Sequence, residues 1–162
     1  MSFLSEADYG LQIRKEIRDL VTDGNDMLLT AAAFAAQVEM ESYLRGRFDV
    51  DAIFTALGPA PAVPAAGGTP EVPARADARN PQIVMYLVDM ALYHLHSRQN
   101  PRNVPQIRQD RYDHAIEWLK MARKGSISTG LPPEPLTEPD GSVDPTSTAP
   151  RGGSLPKLKN DY

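Results

Sequence analysis

Residues 111–130, RYDHAIEWLKMARKGSISTG, join an amphipathic helix to a segment unable to continue it. Tyr112, Ala115, Ile116, Leu119 and Ala122 recur at i, i+3, i+4, i+7 and i+10, the spacing of one helix face. Lys120, Arg123 and Lys124 crowd the last turn, where the helix dipole favours cations. Gly125 stands where a left-handed residue closes a helix. The pattern predicts a helix from near Pro105 to Gly125.

Upstream, Asn80–Pro81 reads as an N-cap followed by a first-turn proline. QIVMYLVDMALYHLHSR then predicts a helix with Val84, Leu87, Val88, Ala91 and Leu95 on one face. Residues 27–47 form the longest predicted helix. Ala31, Ala35, Val38 and Ser42 make a narrow stripe on it, small enough to admit another helix closely. Asp26 is positioned to cap that helix, and DVDAIFTALG after it reads as a loop or a short helical turn. Near the start, Ser5 and Asp8 suit a capping box ahead of Ile13, Ile17, Leu20 and Val21, with Gly10 able to divide the segment. No stretch alternates like a strand for long. The expectation is an all-α fold, a small four-helix bundle-like domain over residues 1–125.

Proline marks the departures from it. Of the 15 prolines, five lie between Pro59 and Pro73 and seven between Pro132 and Pro156. Residues 57–80 show neither helical nor strand period, and predict an extended insertion loop reaching another subunit. Residues 126–162 predict an extended C-terminal tail that orders on a partner, because its composition cannot offset its own ordering entropy. Leu131, Leu136, Leu155, Leu158 and Tyr162 are its spaced anchors for such a partner.

Chemistry is sparse. Without cysteine there is no disulfide, thiolate metal site or cysteine nucleophile. His94 and His96 point apart on a helix, and His114 with Glu117 is half a metal site, so no metal is expected. AAGGTP lacks the spacing and lysine of a phosphate loop. No catalytic residue and no cofactor is assigned, and the chain is expected not to be an enzyme. Asp89 lies among apolar neighbours and needs a partner there; a supporting ion pair with Arg47 or Arg111 on another helix is the expectation. The opening MSFLSEADYG carries no basic region before an apolar run, and no span suits a membrane. The formal net charge of −4 argues against general nucleic-acid binding. Residues 98–124 are nonetheless locally basic, and Arg98, Arg102, Arg108 and Arg111 leave open a DNA-associated helical protein that grips phosphate.

Three segments taken in order, YLRGRF (43–48), VDMALYHL (88–95) and RYDHAIEWLKMARKGSISTGL (111–131), resemble the Mu-like phage head–tail adaptor family. The likeness covers most of residues 3–56 and 81–131; the insertion and the long tail depart from it. The resemblance implies a connector in the virion neck, made in the host cytoplasm. It implies a ring of identical subunits, a dodecamer, beneath the portal protein. Such a ring docks a tail terminator or stopper protein, and DNA passes through without sequence-specific binding.

Overall fold

A computed structural model of the protein describes residues 3–64 and 72–135. Among the described residues there are six helices and no strand beyond isolated bridges. They are α1 (Glu6–Gly10), α2 (Lys15–Thr22), α3 (Asp26–Leu44), α4 (Val50–Thr55), α5 (Pro81–Gln99) and α6 (Gln106–Lys124). The all-α expectation holds, while the count of four becomes six. The first predicted helix is divided after Gly10, and residues 50–55 form a real turn of helix because the Asp49 carboxylate accepts from the Ala52 amide at 2.9 Å. Asn25 rather than Asp26 caps α3, its side chain accepting from the Met27 amide.

Three helices of 19 residues, α3, α5 and α6, pack on one another around a single core, with α5 central. α5 buries Ile83, Leu87, Val88, Met90, Ala91, Leu92 and Leu95, and it also touches α1 and α2. On α6, Ala115, Trp118, Leu119 and Ala122 are buried, while Tyr112 and Ile116 are half-buried beside them. A shared carboxylate ties the three: Glu39 accepts from the Tyr112 hydroxyl at 2.5 Å and lies 3.0 Å from His94 Nε2. Tyr112 also stacks on Tyr93, ring centroids 4.1 Å apart.

The face of α3 is the main correction. Ala32, Ala36, Met40 and Leu44, a row at i+4 spacing, meet the core. The stripe of Ala31, Ala35, Val38 and Ser42 faces outward. The reason is compositional: alanines at 31, 32, 33, 35 and 36 surround the helix, so small size alone could not choose its inner side. Ile17 and Leu20 on α2 are likewise exposed, and Arg18, Val21 and Thr22 take the inner positions.

Candidate functional site

The insertion expected as an extended loop is a narrow two-chain arm. Ala60 pairs with Arg75 and Val63 with Val72, each through two reciprocal backbone hydrogen bonds of 2.8–3.0 Å. The Ala78 amide closes the foot by donating to the Leu57 carbonyl. These contacts recur every third residue at constant register, the repeat of a polyproline II chain and not the two-residue repeat of a strand. Prolines at 59, 61 and 73 favour it by removing three of the intervening donors. Val63 and Val72 are exposed on the arm.

Arg79 anchors the foot of the arm. Its side chain is only 2% exposed. Nη1 and Nη2 reach the two oxygens of Asp8 at 2.7 and 2.9 Å; Nε and Nη2 reach those of Asp77 at 2.9 and 2.8 Å. Nη1 also donates to the Phe3 carbonyl. The hydrogen bonds from Arg79 hold the Asp77 carboxyl down at about 2. Burial pushes Asp8 upward, but Arg79 and Ser5 outweigh it and leave that carboxyl below its ordinary range. Sequence reading missed this clasp. Its local signal is Asp77 two residues before an arginine that itself precedes the Asn80 cap, while Asp8 and Phe3 lie far off in the chain.

The segment after α6 returns to the domain. Gly125 takes φ 73°, and the Ser126 amide donates back to the Met121 carbonyl. The Arg47 guanidinium carbon sits 2.6 Å from where a Cβ on Gly125 would stand. Ile127 packs on the core, and Leu131 is buried in it at 9% exposure. The Asp49 amide donates to the Pro132 carbonyl and the Glu134 amide to the Arg47 carbonyl, both at 3.0 Å. Leu131, assigned above as an anchor for a partner, therefore fills this chain's own core. Leu136, Leu155, Leu158 and Tyr162 lie outside the described residues.

Asp89 is buried, and its Oδ1 stands 3.3 Å from Arg111 Nη1. Arg47 lies at the other end of the bundle, over Phe48 and Gly125. Burial raises the Asp89 carboxyl above its ordinary value, and Arg111 offsets that only in part. Arg108 donates to the Gln12 carbonyl, and burial lowers its guanidinium. Two of the four arginines considered for phosphate are thus engaged within the fold, while Arg98 and Arg102 stay exposed. Among the described residues, no group of three or more metal-ligating side chains comes together, and no helix is long and apolar enough to cross a membrane.

A likeness to known proteins is found in the second half of the chain. Residues 76–145 match the family model described as Bacteriophage Mu, Gp36. The match supports a Mu-like phage protein. The matched region holds Asp77 and Arg79 of the clasp, α5, α6 and the returning segment. No curated protein and no solved structure matches the chain.

Proposed function

We propose that this chain is a structural virion protein, a head–tail adaptor that forms a ring of identical subunits beneath the portal. The ring extends the DNA channel, docks a stopper or tail terminator protein below, and performs no catalysis. It is assembled in the host cytoplasm and ends in the virion neck. The observation that carries this reading is the match of residues 76–145 to the Mu phage family. The arm with its exposed Val63 and Val72 and the proline-rich residues 136–162 agree with it, since a chain of this kind needs segments that reach other subunits.

Co-sedimentation with portal rings tests the proposal. The full chain is expected to pellet with the rings, and truncation after Pro135 is expected to abolish this. A full chain that stays in the supernatant would overturn the adaptor reading. Retained binding by the truncated protein would move the docking surface onto the helical domain.

A further inference from the structure

α5 and α6 run antiparallel, as two ring pairs show. Tyr86 meets Trp118 with centroids 5.2 Å apart, and Tyr93 stacks on Tyr112 at 4.1 Å. Advancing from 86 to 93 on α5 thus means retreating from 118 to 112 on α6. Continued to the end of the pair, the register sets His96 opposite the first turn of α6, where Arg108 stands. His96 also shares the face of Asp89, seven positions earlier and so within about 20° around the helix. Asp89 is turned to α6 through its contact with Arg111.

Few direct bonds cross this end of the helix pair. His96 Nε2, Ser97 Oγ and Arg108 Nη1 are buried, and none has a hydrogen-bond partner among the described residues. Arg108 is held by the α1–α2 loop, Nη2 donating to the Gln12 carbonyl at 2.9 Å. α5 is tied here to α2, the Gln99 side-chain amide donating to the Leu20 carbonyl at 3.1 Å. Charges on the elements around α5 are engaged with one another. Asp89 pairs with Arg111, and Glu39 of α3 is taken by Tyr112 and His94. Lys15 and Arg18 of α2 meet Asp19 and Glu6, Asp8 of α1 meets Arg79, and Asp110 accepts from Gln106. Among the described residues, the charge acting on His96 is the Arg108 guanidinium; burial first and that cation second push the imidazole below its ordinary value.

We propose that His96 and Arg108 form an acid-sensitive latch, in which a proton taken up by His96 sets a second cation against Arg108 and releases the first turn of α6 from α5. The unfolded chain accepts this proton more readily than the folded one. The stability contributed by neutral His96 is therefore complete above the unfolded value of about 6.5 and is lost as pH falls through the lower folded one. Asp89 does not mimic the effect, because its raised carboxyl gives the opposite sign. The latch lies within one subunit and is independent of the ring reading.

Nuclear magnetic resonance of the full chain from about pH 8 to about pH 5, the range in which histidine changes charge, is the measurement. The His96 ring is expected to titrate with a midpoint below about 6.5. The Arg108 and Gln109 amides, which donate to the Pro105 carbonyl, are expected to exchange several-fold faster over the same range, after correction for the pH dependence of exchange itself. Amides in the last turns of α6 are expected to stay protected. His96→Gln, polar but unable to take up the proton, is expected to show no acceleration. Arg108→Gln is expected to move the His96 midpoint upward, toward the ordinary value. A wild-type midpoint at or above about 6.5 would overturn the proposal. So would unchanged exchange at Arg108 and Gln109 through the titration, or the same acceleration in His96→Gln. The wild-type readings decide even where a variant fails to fold.

Discussion

Arg79 and Asp8 stand 71 positions apart in the chain and meet in a two-bond clasp, Nη1 to Oδ2 at 2.7 Å and Nη2 to Oδ1 at 2.9 Å. The clasp closes the arm at its foot and fixes residues 3–8 beside the start of α5. Bidentate geometry of this kind suits a guanidinium and not an ammonium.

Arg79→Met is therefore expected to destabilise the domain by about 3 kcal/mol, the low end for breaking a buried pair, because Asp77 is already 41% exposed. Arg79→Lys is expected to recover only part of that. Asp8 and Asp77 have depressed folded pKa values, so their contribution is complete above the unfolded carboxylate value of about 3.9. It is lost as pH falls through the folded values, toward about 2 for Asp77. Denaturant titrations between neutral pH and that range should show a steeper acid loss in wild type than in Arg79→Met. Parallel curves would mean that the clasp adds no pH dependence.

Leu119 and Phe34 make a matched pair for checking the helix faces. Leu119 is fully buried where α6 meets the core, so Leu119→Ala is expected to cost about 2–5 kcal/mol. Phe34 is equally apolar but exposed, and Phe34→Ala in the monomer is expected to stay within about 0.5 kcal/mol. Chemical unfolding at low protein concentration measures both. A large loss at Phe34 would place that side chain in a packed environment.

How far such faces were legible depends on polarity contrast. α6 alternates charged and apolar residues, so its inner face follows from spacing, and Gly125 marks its end without ambiguity. α3 has no such contrast, and its phase was settled by Met40 and Leu44, whose bulk fills the core four and eight residues beyond Ala36. The Asp8 half of the Arg79 clasp and the return of Leu131 depend on partners brought in from distant parts of the chain. No local pattern encodes either. The arm shows the reverse case: its prolines announced extension, but the three-residue pairing needs both chains of the arm to be seen together.

Asp89 meets Arg111, one of the two partners anticipated from sequence, and burial sets the pH dependence of the pair. Its folded pKa is raised, so burying the ionised form costs stability that appears as pH rises from the unfolded value through the folded one. Asp89→Asn keeps the shape and an acceptor for Arg111, and is expected to be neutral or slightly stabilising at pH 7. Relative to that variant, wild type should gain stability as pH falls through the folded value to the unfolded one of about 3.9, below which Asp89 is protonated in both states. Stability curves for the two proteins across that interval test the sign. A wild type that loses stability relative to Asn on acidification would show the pair with Arg111 outweighing burial.

The returning segment gives the last prediction. Leu131 is buried in the core, and the backbone of Pro132 and Glu134 is hydrogen-bonded to Asp49 and Arg47 at the α3–α4 turn. Truncation after Gly130 removes that side chain and frees the Asp49 amide and the Arg47 carbonyl. It is expected to cost at least about 2 kcal/mol, the lower bound for deleting a buried leucine. Truncation after Pro135 keeps every one of these contacts and is expected to unfold with the midpoint and slope of the full chain. The two truncations differ by five residues, so a stability gap between them is assigned to 131–135 alone. Equal stability of the two proteins would mean that Leu131 lies on the core without holding it, and that the stable domain already ends at Gly125.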